Sequence, residues 1–265
     1  MKAPCAVKIV TKEKLKEMKV YQELMMNELK VLEETNHPNI PRVFELFEDH
    51  KNYYIITELI SGGNMLEKMM DMETMSEWQV VNVIKQVLLP VNYMHSNKGM
   101  THRDIKLENL LCMPSQVKGE ALTVKLTDFG FATYLKMGEE LKLPLGSPLY
   151  MAPEIIERRP YDHKVDTWAI GVMTYICLTG TPPFYSDKPD KLKDSICKDH
   201  LQFDSMQFRD VSREAQDFIS KCLHKDAKKR ASIQDLLKHP WIKKAEEEEL
   251  DQGTKLEIAS SLANF

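Results

Sequence analysis

The chain has 265 residues, 43% of them hydrophobic, enough for one large domain or two lobes sharing a core. Its 36 Lys and Arg are interspersed with 40 Asp and Glu for a net charge of -4. That balance gives no long-range attraction to nucleic acid or acidic membranes, so any acidic partner must be bound locally. Five scattered cysteines (Cys5, Cys112, Cys177, Cys197, Cys222) without a CxxC pair argue against a disulfide framework or a zinc site. No apolar run approaches the ~20 residues of a membrane helix, and no signal or myristoylation sequence opens the chain, so the expectation is a cytoplasmic protein with no membrane segment.

In chain order, "CAVKIV" (5–10) reads as a buried strand carrying one ammonium, Lys8. Helical spacing follows from Lys12 to Glu34, then "VFELFE" and "YYIITE" are rich in β-formers. "SGGN" (61–64) breaks the pattern, and helices are expected over Ser76 to His95, Lys164 to Leu178, Ser212 to His224 and Ile233 to Lys238. The fold class is α+β, a β-rich lobe followed by a helical one. Ser76 and Gln79 have capping-box spacing, while Pro90 inside that first long helix should cost about 3 kcal/mol and kink it. The short strands "LLCM" and "TVKLT" lie in the stretch Thr101 to Glu154, where polar chemistry concentrates. The tail "KKAEEEELDQ" reads as a solvated helix end or linker.

In "HRDIKLENLL" (102–111), Asp104, Lys106 and Asn109 fall within six positions. Alone this is compatible with a charged surface turn. A second acid-bearing turn, "TDFG" (127–130), follows an alternating strand, so two polar turns can face one site. Asn109 and Asp128 offer the hard oxygen donors that suit Mg2+, which takes few protein ligands and completes its shell with phosphate oxygens. Asp104 is left to accept a proton, and Lys106 projects to the same side of an extended segment, able to neutralise a transferring phosphoryl group. These are the parts of a phosphoryl-transfer site. Upstream, Glu28 shares a helical face with Leu24, Val31 and Leu32 and is either a rim glutamate at the edge of that stripe or a carboxylate in need of a cation. Lys8 and Glu28 facing each other satisfy two charges that would be costly to bury singly.

These runs resemble the catalytic loop and metal-binding turn of eukaryotic protein kinases, and "GSPLYMAPE" (146–154) resembles the end of their activation segment. The resemblance implies a two-lobed kinase fold, with residues 1–60 as a partial N-lobe, 61–242 as the C-lobe and 243–265 as a tail. It implies ATP and Mg2+ as cofactors and protein Ser/Thr hydroxyls as acceptors, with Asp104 as base, Lys106 on the γ-phosphate, and Asn109 and Asp128 on the metal. Lys8 and Glu28 match the pair that aligns the ATP phosphates. Ala6 and Leu111 match the residues on either face of adenine, the backbone of Glu58 and Ile60 matches the hinge, and Thr57 falls at the gatekeeper position. Lys106 and Ser147 resemble the Ser/Thr-specific branch. Asn64 departs from the glutamate common in kinases that favour basic substrates. Asp166 matches the aspartate bonded to the catalytic-loop backbone, and Arg230 the arginine paired with Glu154.

"LLKHPWI" resembles the closing helix of the calcium/calmodulin-dependent group, and "EIASSLANF" the start of the autoinhibitory junction of calcium-dependent kinases. The sequence holds no EF-hand loop, so a calcium-sensor module is expected outside this chain. A Gly-rich phosphate lid is expected upstream of Lys8, where seven residues hold no glycine. The chain therefore reads as a monomeric kinase domain truncated at both ends. A pseudokinase-like interaction module or an incomplete gene product is the alternative. Glu139 and Glu140 either stand in for an activating phosphate opposite Arg103 or form a solvated charge pair.

Overall fold

Strand formers near the N-terminus build a three-stranded antiparallel sheet from β1 (Cys5–Thr11), with two helices, α1 (Lys12–Lys16) and α2 (Lys19–Glu34), inserted before β2 (Val43–Glu48) and β3 (Asn52–Glu58). The computed structural model describes residues 4–16, 19–72, 74–114, 122–136, 138–203, 206–247 and 255–257. The helical spacing expected from Lys12 to Glu34 is met over Lys12–Lys16 and Lys19–Glu34, with residues 17 and 18 outside the described set. The strand order is β1-β3-β2, so among the described residues β1 has one neighbour. The buried strand expected at "CAVKIV" is therefore an exposed edge: Val7 and Ile9 are 48% and 59% exposed. Their alternates Ala6, Lys8 and Val10 point to the other face, as the two-residue period requires. There Val10 packs on a core of Met25, Val31 and Ile55 with Met94, Met100 and Phe129 from later in the chain.

Beyond the sheet come α3 (Met65–Asp71), β4 (Thr74–Ser76) and α4 (Glu77–Asn92). Asn64 caps α3 through a reciprocal pair with Glu67. Ser76 Oγ accepts from the Gln79 amide at 3.2 Å and Gln79 Oε1 accepts from the Ser76 amide at 2.9 Å, the capping box expected from their spacing. Pro90 is buried within α4, and a wider π-turn over Tyr93–Lys98 follows it, ending at Gly99 with φ 59. A proline withholds one amide donor, so the helical bond to the Gln86 carbonyl is not made.

Two-residue β5 (Met100–Thr101) pairs with β8 (Thr133–Tyr134), and β6 (Leu110–Cys112) with β7 (Val124–Leu126). Short α5 (Pro153–Ile156) leads to α6 (Lys164–Thr179), in which every residue from Val165 to Thr179 is buried. A helix apolar on all sides belongs at the centre of a core. α4 and α8 (Arg213–Cys222) pack against it, and α7 (Pro189–Lys198), α9 (Ile233–Leu237), α10 (Pro240–Glu247) and β9 (Lys255–Glu257) are the other elements of this half among the described residues. The closing helix expected at "LLKHPWI" is split between α9 and α10 because Pro240 starts a new helix. Residues 258–265, most of "EIASSLANF", lie outside the described residues.

Candidate active site

The β6–β7 hairpin decides where the polar turns meet. It aligns Leu110 with Leu126, so the residues just before β6 and just after β7 are neighbours, and the Thr127 amide donates to the Asn109 carbonyl at 2.9 Å. Asp104, 7% exposed, gathers one side. Its Oδ2 accepts from Lys106 Nζ at 2.9 Å and Asn109 Nδ2 at 3.1 Å. Its Oδ1 accepts from the Ser147 hydroxyl at 2.9 Å and the Ser147 amide at 3.1 Å. Lys106 Nζ also reaches Ser147 Oγ at 2.9 Å. Sequence reasoning read Ser147 as a marker of acceptor type and missed this bond; the only signal was its place in "GSP".

Asn109 Nδ2 also donates to the Asp104 carbonyl at 2.8 Å, so its amide nitrogen is engaged and its Oδ1 is the atom free to serve as an acceptor. Asp128, with φ 62, turns a carboxylate with 47% side-chain exposure toward Lys8, whose Nζ lies 3.8 Å from Oδ1. Gly130 closes that turn by donating its amide to Asp128 Oδ1 at 3.3 Å. Lys8 is ion-paired with Glu28, which is 5% exposed, so strand and helix are tied by the charges read as complementary in the sequence. A cavity of about 240 Å³ opens here, with Lys8, Glu28, Thr57 and Asp128 on its walls.

The other expected residues surround it. Ala6 stands across from Thr57 in the sheet, Ile60 is buried, and half-buried Leu111 bridges Asn64. The Glu58 amide donates to the Arg42 carbonyl at 2.8 Å, so its amide is not available to a ligand. Its side chain meets Lys125 Nζ at 2.8 Å and the Arg42 amide at 3.2 Å. Burial pushes the Glu58 carboxyl up, but these partners outweigh it and hold the group below its usual range.

Behind the Asp104 turn, fully buried Asp166 fixes the backbone. Its Oδ2 accepts from the His102 amide at 2.9 Å and its Oδ1 from the Arg103 amide at 2.8 Å. Arg103 has φ 70, a left-handed conformation that a non-glycine residue keeps only when neighbours enforce it. His95, unremarked in the sequence, pairs with Asp166 Oδ2 at 2.8 Å. Burial would raise the Asp166 carboxyl, yet the His95 and backbone bonds keep it below its ordinary value. Burial lowers His102, whose ring lies 5.1 Å from that of Phe129. Arg230 and Glu154 form a buried bidentate pair at 2.6 and 3.0 Å.

One expectation fails. Glu139 and Glu140 are exposed, Glu139 accepts from the Lys136 amide at 3.1 Å, and among the described residues neither pairs with Arg103. The Arg103 guanidinium instead donates to the Phe131 carbonyl at 2.6 Å and the Tyr161 hydroxyl at 3.4 Å. Two adjacent carboxylates on a short exposed loop are better solvated by water than drawn into a pocket already filled with neutral acceptors.

Comparison with known proteins shows the family. A family model described as "Protein kinase domain" matches residues 1–242. Myosin light chain kinase A of Dictyostelium discoideum is 36% identical over 238 residues, 90% of this chain and 79% of that protein. Calcium/calmodulin-dependent protein kinase type 1 of Macrobrachium nipponense is 37% identical over 237 residues, covering 89% and 66%. Calcium-dependent protein kinase 3 of Plasmodium berghei is 33% identical over 267 residues, all of this chain and 47% of that protein. The chain thus spans about half the length of the calcium-dependent kinase that it matches.

Proposed function

Because the chain belongs to the protein kinase domain family, we propose that it transfers the γ-phosphoryl group of Mg2+-bound ATP to serine or threonine hydroxyls of proteins. One observation carries the reading: Asp104, Lys106, Asn109 and Ser147 share a hydrogen-bonded cluster beside the Asp128 turn. Asp104 accepts the proton of the acceptor hydroxyl as the oxygen–phosphorus bond forms and the bond to the ADP oxygen breaks. Lys106, already within reach of Asp104 and Ser147, balances charge on the phosphoryl group. Asn109 Oδ1 and the Asp128 carboxylate are hard oxygen donors and fit a Mg2+ ion held mostly by phosphate and water, which would neutralise the phosphates. Lys8, kept in place by Glu28, aligns those phosphates. Ala6, Leu111, Thr57, Ile60 and the Glu58 carbonyl surround adenine.

Residues 1–60 then serve as a partial N-lobe, 61–242 as the C-lobe and 243–265 as a tail. The names of the relatives support a kinase of the calcium-regulated type, with the sensor in another module. All five cysteines are free, which suits the reducing cytoplasm, and no described helix is long and apolar enough to cross a membrane. The test is Mg2+-dependent ATP binding and phosphorylation of a generic Ser/Thr peptide, with Asp104→Asn as control. The variant should lose about 10²–10⁴-fold in rate, the worth of a positioned base. Equal rates in both proteins would rule out Asp104 as base, and ATP binding with no transfer in either would favour a binding module.

A further inference from the structure

The segment that delivers Ser147 to Asp104 must be held in register for the cluster to form, and the expected carboxylates do not hold it. Tyr161, 4% exposed, is the side chain that reaches it. Its hydroxyl donates to the Leu143 carbonyl at 2.6 Å and accepts from Arg103 Nη1 at 3.4 Å. Its backbone pairs with Leu141 in both directions, at 2.8 and 2.9 Å. Arg103 in turn spans to the Phe131 carbonyl, one residue past the Asp128 turn, at 2.6 Å. The chain of contacts thus runs from the metal-binding turn through Arg103 and Tyr161 to Leu143, four residues before Ser147. Gly146 lies so close beneath it that a Cβ there would meet the Arg103 carbonyl at 2.9 Å.

We infer that Tyr161 is a positioning residue: its hydroxyl links Arg103 to the Leu143 carbonyl and orders the segment leading to Ser147 without a phosphate. This rests on the phosphoryl-transfer reading above for its kinetic consequence, though not for its structural one. A neutral phenol suits the place because it both donates and accepts, which a carboxylate cannot. Its burial also shields the two bonds from competing water.

Tyr161→Phe keeps the buried ring and removes only the hydroxyl. In the intact chain, amide hydrogen exchange over residues 139–147 should quicken about three- to tenfold, the worth of one buried hydrogen bond, with the rest of the chain unchanged. The KM for a serine peptide should rise by a similar factor while that for Mg-ATP stays within about twofold, a split that simple loss of folded protein would not produce. Arg103→Lys, which cannot span both acceptors, should give the same local change, and the double variant no more than either. Unchanged exchange over 139–147, a rise spread evenly along the chain, or both KM values moving together would overturn the inference. If the wild-type chain transfers no phosphate yet the local exchange rises as expected, the hold of Tyr161 stands and the kinase reading is what fails.

Discussion

Replacing Arg230 with methionine should be among the most damaging single changes outside the Asp104 cluster. The guanidinium is fully buried against a Glu154 carboxylate with 2% side-chain exposure. It makes two bonds to that carboxylate and one each to the carbonyls of His224 and Lys164, both at 3.0 Å. It also lies 5.1 Å from the Trp168 ring centroid. Methionine restores much of the packing but leaves Glu154 as an unpaired buried charge, a loss of about 3–5 kcal/mol. At roughly 2–4 °C per kcal/mol for a domain of this size, the thermal midpoint should fall by about 6–20 °C. Urea unfolding of Arg230→Met, Glu154→Gln and the double variant gives the coupling directly, and the double should recover about 2–3 kcal/mol relative to the sum of the singles. A single-variant loss under about 1 kcal/mol, or strict additivity, would show that the pair does not hold α5 to the helical core.

Glu77 is a second such joint. Its carboxylate takes the Ser212 amide at 2.9 Å, the Ser212 hydroxyl at 2.6 Å and Trp241 Nε1 at 2.8 Å, linking the starts of α4, α8 and α10. Glu77→Gln turns one acceptor oxygen into a donor facing donors and should cost about 1.5–3 kcal/mol by urea unfolding; a change within 0.5 kcal/mol, on the order of measurement error, would refute it. Stability should also fall as pH drops below neutrality. Burial is the first cause that lowers His37, His102, His163 and His239 from the ordinary value of 6.5. The unfolded imidazoles therefore take up protons first, the unfolded state binds more protons, and stability is full above pH 6.5 and lost below it. The thermal midpoint should be lower at pH 5.5 than at pH 7.5, and an equal or higher midpoint at pH 5.5 would contradict the sign.

Local chemistry made much of the site legible. "HRDIKLEN" and "TDFG" hold their acid, lysine and amide side chains at short spacings, so the grouping of Asp104, Lys106 and Asn109 needed little more than one turn of chain. The pairing of Lys8 with Glu28 followed from a different rule, since two charges on otherwise apolar faces need each other. The capping box at Ser76 is likewise a matter of residues three apart.

Other features depend on which elements become neighbours, and no local pattern encodes that. The β-formers of "CAVKIV" promised a buried strand, but burial depends on a sheet's order, and β1 lies at its edge. Pro240 divides the closing helix because a residue without an amide proton starts a helix more easily than it continues one. Tyr161 reaches Arg103 from 58 residues away, and Lys125 reaches Glu58 from 67. Glu139 and Glu140 show the same limit from the other side: their charge was plain in the sequence, but the fold gave their expected partner to a neutral phenol. By itself the sequence determined the kinds of chemistry present, because acids, amides and ammonium groups carry their reactivity with them. Only the tertiary structure decided their partners, because hydrogen bonds act over about 3 Å and the chain must fold before distant residues come that close.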